Sequence, residues 1–143
     1  MSDSRAGIFW DAVEGRAPMP RAAQTLGFEF VDADAELGTI DVAFTATEAF
    51  TNPMGEVLGA FLAAMLYDTV GPALLATLGP GEFQSTLDLQ VSFLRPARVG
   101  RLRGTGRVLR RDGDIAFLAA ELRSADEELV ATATATARVI SLR

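Results

Sequence analysis

Residues 52–74 read NPMGEVLGAFLAAMLYDTVGPAL. From Val57 to about Leu78 the segment is apolar nearly all round, with Leu58, Phe61, Leu62, Met65, Leu66, Val70 and Leu74 spread over every face. A helix of that kind belongs at the centre of a fold rather than on its surface. Pro72 follows Gly71 and cannot donate to the Asp68 carbonyl four residues earlier, so a kink or weak turn is expected there. Gly79-Pro80-Gly81 ends the element. The apolar run Val57 to Leu66 is too short to cross a bilayer and leads into Tyr67-Asp68.

On the C-terminal side the period changes to two. Thr86 to Leu94 (TLDLQVSFL) places Leu87, Leu89, Val91 and Phe93 on one face of a strand and Thr86, Asp88, Gln90 and Ser92 on the other. That polar stripe suits solvent, or a subunit contact. Arg101 to Arg110, Ile115 to Arg123 and Val130 to Leu142 read as three further strands, joined by turns at Arg111-Asp112-Gly113-Asp114 and Ala125 to Glu128. The tract ATATATAR also has period two, and Thr favours strands, so it reads as a strand with one Thr face. On the N-terminal side, GFEFVDAD and TIDVAFTA alternate around a turn at residues 35–38 and read as a hairpin. Before them, residues 5–15 put Ile8, Phe9, Ala12 and Val13 on one helical face, with Ser4 as N-cap and Gly15 as stop. Pro18 and Pro20 then break the chain.

The expected architecture is α+β: one antiparallel sheet, made of the hairpin and about four further strands, wrapped around one long central helix, with a short N-terminal helix. The length of 143 residues suits a single domain, 1–143, divided into an N-terminal helix and linker (1–20) and a core (25–142). A single sheet on a single helix leaves an edge and an outer face bare, which a second copy of the chain would cover.

Composition limits the chemistry. The chain has no Cys, no His and no Lys; all 13 basic residues are Arg. That removes thiol nucleophiles, imidazole bases, Cys- or His-based metal sites and Schiff bases. No metal site and no separate cofactor are expected. Acid–base work falls to carboxylates, Tyr67, hydroxyls or backbone amides. A net charge of −6 disfavours nucleic acid as a partner. The opening MSDSRAGIF lacks a basic stretch leading into an apolar one, so a cytoplasmic location with no membrane partner is expected.

Candidate site residues gather on the central helix. The small pair Gly59-Ala60 at its start would let a carbonyl gaining negative charge approach bare N–H groups at the positive end of the helix dipole. On the residues alone, close packing is the readier explanation of the same small side chains. Asp68, a lone acid in an apolar helix, could be a base or nucleophile with a raised pKa, or an acid at a wet edge or hydrogen-bonded to a loop. Tyr67 points about 100° away from it, so the two cannot occupy one site equivalently. Arg95, Arg98, Arg101, Arg103, Arg107, Arg110 and Arg111 concentrate positive charge that could hold an anionic ligand, or could simply face solvent.

Three segments in order, NPMGEVLGAFLAAMLYDTVGPAL, TLDLQVSFLRPARVG and VATATATARV, resemble the PaaI-like branch of the hotdog-fold thioesterases over roughly residues 25–140. The resemblance implies a hotdog fold, an antiparallel β-sheet of five to six strands wrapped around one long central helix, pairing as a homodimer or dimer of dimers, and hydrolysis of acyl-CoA or acyl-carrier thioesters at the subunit interface. Coenzyme A would enter only as part of the substrate. Asn52 and Gly55 match the family's Asn-x-x-Gly loop, Gly59 matches the first Gly of its His/Gln-Gly-Gly, and Thr86 matches a Ser/Thr that assists the attacking water. Leu58 stands where His or Gln is usual, Ala60 replaces the second Gly, and the catalytic carboxylate position falls on Tyr67. Asp68 matches a following acidic position, and Asp68 or Glu56 could stand in. The implied catalytic set is therefore Asp68, Tyr67, Gly59, Ala60, Asn52 and Thr86. Leu58, Phe61, Leu62, Met65, Glu56, Arg95 and Arg110 would contact substrate. The alternatives are a non-hydrolytic hotdog protein that holds an acyl or other apolar ligand, and a site redirected to other chemistry.

Overall fold

The computed structural model describes residues 5–142. Two short helices, α1 (Ile8–Val13) and α2 (Arg21–Leu26), precede the hairpin β1 (Glu29–Asp34) and β2 (Thr39–Ala46). A 3-10 turn at Glu48–Phe50 leads to the long helix α3 (Gly59–Leu75). Four strands complete the chain: β3 (Glu82–Phe93), β4 (Gly100–Asp112), β5 (Ile115–Arg123) and β6 (Leu129–Ser141). All six strands form one antiparallel sheet in the order β1-β2-β4-β5-β6-β3. The sheet curls around α3 and buries its inner face, including Ile40, Val42, Phe44, Leu102, Leu118 and Leu122, against Met65, Leu66, Val70 and Leu74. On β6, Ala131, Ala133, Ala135 and Ala137 point inward as the alternation requires.

Helix α3 is shorter at both ends than the apolar run. The Val57 N–H donates to the Ala97 carbonyl and the Leu58 N–H to the Phe50 carbonyl, each at 2.8 Å, so both residues are tied to loops instead. At the other end, Thr77 and Leu78 donate to Leu74 and Leu75, and these tighter bonds close the helix. Pro72 lies within the last turns, and α3 runs on as a continuous helix to Leu75.

Other expectations need correction. Helix α2 lies immediately after the Pro18-Pro20 break, with Pro20 as its N-cap and left-handed Gly27 as its stop. The proposed Ser4 cap lies outside the described residues; α1 starts after Gly7 and has no side-chain cap. On β3 the alternation does not run through, because a β-bulge between Thr86 and Asp88 inserts Leu87. Leu87 is therefore exposed, Leu89 and Val91 pack inward, and Thr86 shares the face of the buried Gln84 rather than that of Asp88.

The approach of α3 to the sheet is set by two glycines on β4. A Cβ on Gly104 would lie 2.6 Å from Thr69 Oγ1, and one on Gly106 would lie 2.9 Å from the Thr69 carbonyl oxygen. The buried Thr69 hydroxyl donates to the Met65 carbonyl at 2.7 Å, so it fits this notch with its polar group satisfied. Gly104→Ala and Gly106→Ala should each cost about 1–3 kcal/mol through overpacking. Urea denaturation midpoints check this, and the larger loss is expected at Gly106, where the obstacle is backbone.

Candidate active site

Two concavities along α3 bear on the candidate residues. The first is a cleft of about 390 Å³ along its C-terminal half. Asp68, Gly71, Pro72 and Leu75 line it from one helical face, at the spacing of successive turns. Phe83, Gln84 and Ser85 of β3 form one wall, and Ile8, Phe9, Ala12 and Val13 of α1 form the other. The linker Ala17 to Pro20 and Ala23 of α2 close the side. The apolar stripe read from residues 5–15 thus faces this cleft. Trp10 turns the other way and buries its ring against Phe9 and Phe30, with ring centroids 5.0 and 5.5 Å away.

Asp68 is the charged residue of the cleft. Its Oδ2 is buried and meets no hydrogen-bond partner, the sole such side-chain atom among the described residues. Burial without a compensating cation pushes its carboxyl up to about 7. At neutral pH it therefore exists in both protonation states, as a general base requires. Tyr67 borders the same cleft but is half exposed. The 100° between them separates a half-buried acid, with one oxygen fully buried, from a phenol at the rim.

The second concavity is a shallow depression at the start of α3, lined by Val57, Gly59, Leu62, Phe93, Leu94, Arg95 and Pro96. The Gly59 and Ala60 N–H groups find no acceptor among the described residues, and Leu58, the N-cap, offers none from its side chain. A Cβ on Gly59 would lie 3.2 Å from the Phe93 ring, so Gly59 also makes room for that ring. Asn52 Oδ1 accepts from the N–H groups of Met54 and Glu56 at 2.9 and 3.1 Å, which shapes the loop that delivers the helix start. The Glu56 side chain lines neither concavity. Phe61 stacks on Phe50, with centroids 4.2 Å apart, and Met65 is wholly buried in the core; neither reaches a concavity.

Of the arginines, Arg95 borders the helix-start depression and makes no ion pair among the described residues. Arg101 and Arg103 pair with Glu29 and Glu127. Arg110 pairs with Asp112 at the far end of β4, roughly 30 Å along the strand from the helix start at ~3.3 Å per residue. The structure does not bring Arg110 to either concavity. Nor does it unite the two halves of the expected catalytic set within one chain. Asp68 follows Gly59 by nine residues, roughly 13 Å along the helix axis. Gln84, Ser85 and the α2 wall escaped the sequence reading. No sequence signal marked Gln84, since plain alternation places it on the polar face with Thr86 and Asp88, and only the bulge after Thr86 separates them.

The architecture and the comparisons agree. A family model of the thioesterase superfamily matches residues 54–131, more than half of the chain. A phenylacetic acid degradation-related protein from Ralstonia eutropha JMP134 is 45% identical, with 91% of this chain and 98% of that one covered at a TM-score of 0.88. The chain belongs to the thioesterase superfamily, and its fold is the hotdog fold. The Escherichia coli PaaI protein of the phenylacetic acid degradation operon superposes with a TM-score of 0.81 at 19% identity, covering 94% of this chain and 96% of that one. A thioesterase from Haemophilus influenzae superposes with a TM-score of 0.82, also at 19% identity, over 97% of this chain and 94% of that one. No curated protein matches the sequence. No helix among the described residues is long and apolar enough to cross a membrane.

The state of Asp68 makes a stability prediction. A carboxyl raised from 3.8 to about 7 on folding binds its proton more tightly in the native state. Its stabilisation is complete below the unfolded pKa and is lost as pH rises toward about 7. The contribution should fall by up to about 1.4 kcal/mol per pH unit across that window. Asp68→Asn should flatten the stability curve there relative to wild type, as read by denaturation midpoints at several pH values.

Proposed function

We propose that this protein hydrolyses acyl-CoA or acyl-carrier thioesters at a site completed by a second copy of the chain. The observation that carries this reading is the buried, unpartnered Asp68 oxygen in an otherwise apolar cleft. Superfamily membership supports it. The acyl group lies in the cleft against Phe9, Val13, Leu75 and Phe83. The thioester carbonyl meets the free Gly59 and Ala60 N–H groups of the other copy, because the same chain's helix start is too far along the axis. The unpaired edge of β3, with Leu87 and Phe93 exposed along it, is the surface on which the copies meet.

In the reaction, the Asp68 carboxylate takes a proton from a water whose oxygen attacks the thioester carbon. The two amides stabilise the oxyanion of the tetrahedral intermediate. Collapse breaks the carbon–sulfur bond, and the departing thiolate takes the proton from Asp68. The Tyr67 hydroxyl, at the rim, donates to the acyl group or the oxyanion. Arg95, beside the helix start and without an ion pair among the described residues, holds a phosphate of the coenzyme A moiety. The mechanism calls on no further cofactor, and the cytoplasm is the expected location. One observation favours the non-hydrolytic alternative: Phe93 packs on Gly59, which gives the small residue a purely structural use. A ligand recovered unchanged after prolonged incubation would support that alternative.

Thiol release across a panel of acyl-CoA chain lengths tests the proposal. Wild-type protein should turn over at least one member, with kcat/KM rising with pH through about 7. Asp68→Asn should lower kcat by about 100-fold or more. Ala60→Pro, which removes one amide donor, should lower it by a similar factor. Mixing the two inactive variants should restore activity, since hybrid pairs then contain one intact site. No turnover of any thioester by wild-type protein would refute the proposal, and turnover confined to Tyr67→Asp would show that position 67, not Asp68, sets the hydrolytic competence of the fold.

A further inference from the structure

The Asp68 cleft holds one more polar group with a defined orientation. Gln84 projects inward from β3 and lines the cleft; with Thr69 it is one of two buried polar side chains among the described residues. A buried amide must satisfy both its oxygen and its NH₂ group. Its Oε1 accepts from Thr86 Oγ1 at 3.2 Å. Its Nε2 donates to nothing among the described residues, yet it is not sealed in protein, since Asp68 Oδ2 is the one buried side-chain atom left without a partner. The NH₂ end therefore opens onto the cleft.

Gly71 explains how it fits. A Cβ at that position would lie 3.0 Å from Gln84 Nε2, so the amide rests directly on the bare helix backbone. Gly71 is three residues beyond Asp68, and β-positions at that spacing are about 5–6 Å apart on one helical face. The Gln84 amide and the Asp68 carboxyl thus border the same part of the cleft, one a donor without an acceptor and the other an acceptor without a donor. Among the described residues, Tyr67 is the only other titratable group lining the cleft; the lining parts of α1, α2 and β3 contribute no charge.

We propose that Gln84 is a positioning residue for the hydrolysis: its N–H donates to the water that Asp68 deprotonates and fixes that water's oxygen toward the thioester carbon. This rests on the thioester-hydrolase reading. The water gives one proton to Asp68 and forms the new carbon–oxygen bond, while Gln84 neither gains nor loses a proton. Thr86 acts through Gln84, holding the amide so that its NH₂ end faces the cleft, and Gly71 leaves the space in which the amide lies.

The test compares Gln84→Ala, Thr86→Val, Thr86→Ser and Gly71→Ala in the full chain. Gln84→Ala should lower kcat by about 10- to 100-fold with KM within about twofold. Thr86→Val and Gly71→Ala should lower kcat in the same manner by a smaller factor, and Thr86→Ser should restore wild-type kcat. Equal losses in Thr86→Ser and Thr86→Val, or an unchanged kcat in folded Gln84→Ala, would overturn the proposal. Carbon-13 NMR titration of Asp68 gives a readout independent of turnover. Loss of the amide that holds a water donating to the carboxylate should raise its pKa by about half a unit or more in Gln84→Ala. A titration that coincides with wild type would remove the link between the two groups. Wild-type protein inert on every thioester would instead defeat the hydrolase reading, whatever the titration shows.

Discussion

Everything near the site depends on how α3 meets the sheet. The Thr69 side chain and carbonyl lie against Gly104 and Gly106, where a single added carbon on the strand would collide. Packing this close fixes the rotation of the helix about its axis. With Thr69 held against β4, the face carrying Asp68, Gly71, Pro72 and Leu75 turns toward β3 and the N-terminal helices. An acid on a wholly apolar helix would otherwise be expelled to water. Here the helix is locked by its neighbours, and the acid is carried into a half-closed cleft.

The N-terminal helices give that cleft its character. Six-residue helices are marginal by themselves. Phe9, Trp10 and Phe30 form a cluster of edge-on aromatic contacts that pins α1 to the first hairpin. The opposite side of α1 then roofs Asp68 with apolar side chains. Without that roof the carboxyl would see water and its pKa would return toward the ordinary range. The burial that raises the Asp68 carboxyl is thus shared between its own helix and residues distant in sequence.

Much of the fold was legible because its signals are periodic. The Ala/Thr alternation of β6, the first hairpin and the apolar stretch of α3 each state their own structure. Other features carry no such signal. Helix α2 is only six residues long and follows two prolines, so its pattern covers less than two turns. The ends of α3 are set by hydrogen bonds from Val57 and Leu58 to distant carbonyls, which local sequence does not encode. Within the candidate site, Asp68 stood out as a lone charge on a greasy helix. Gln84 did not, because a glutamine on a strand looks like surface until its facing is known. Gly59 was ambiguous in sequence and serves two ends in the structure, bare amide and seat for Phe93.

The extra residue in β3 has an evolutionary corollary. By shifting the pleat by one step, it lets a single edge strand be read in two frames: one segment supplies an amide to the interior beside α3, and the next supplies hydrocarbon. Substitutions on either side of the shift can then be selected separately. Polar chemistry can change at Gln84 and Thr86 while Leu89 and Val91 go on anchoring the strand. A lineage of such proteins could diversify its reactions without renegotiating how it folds.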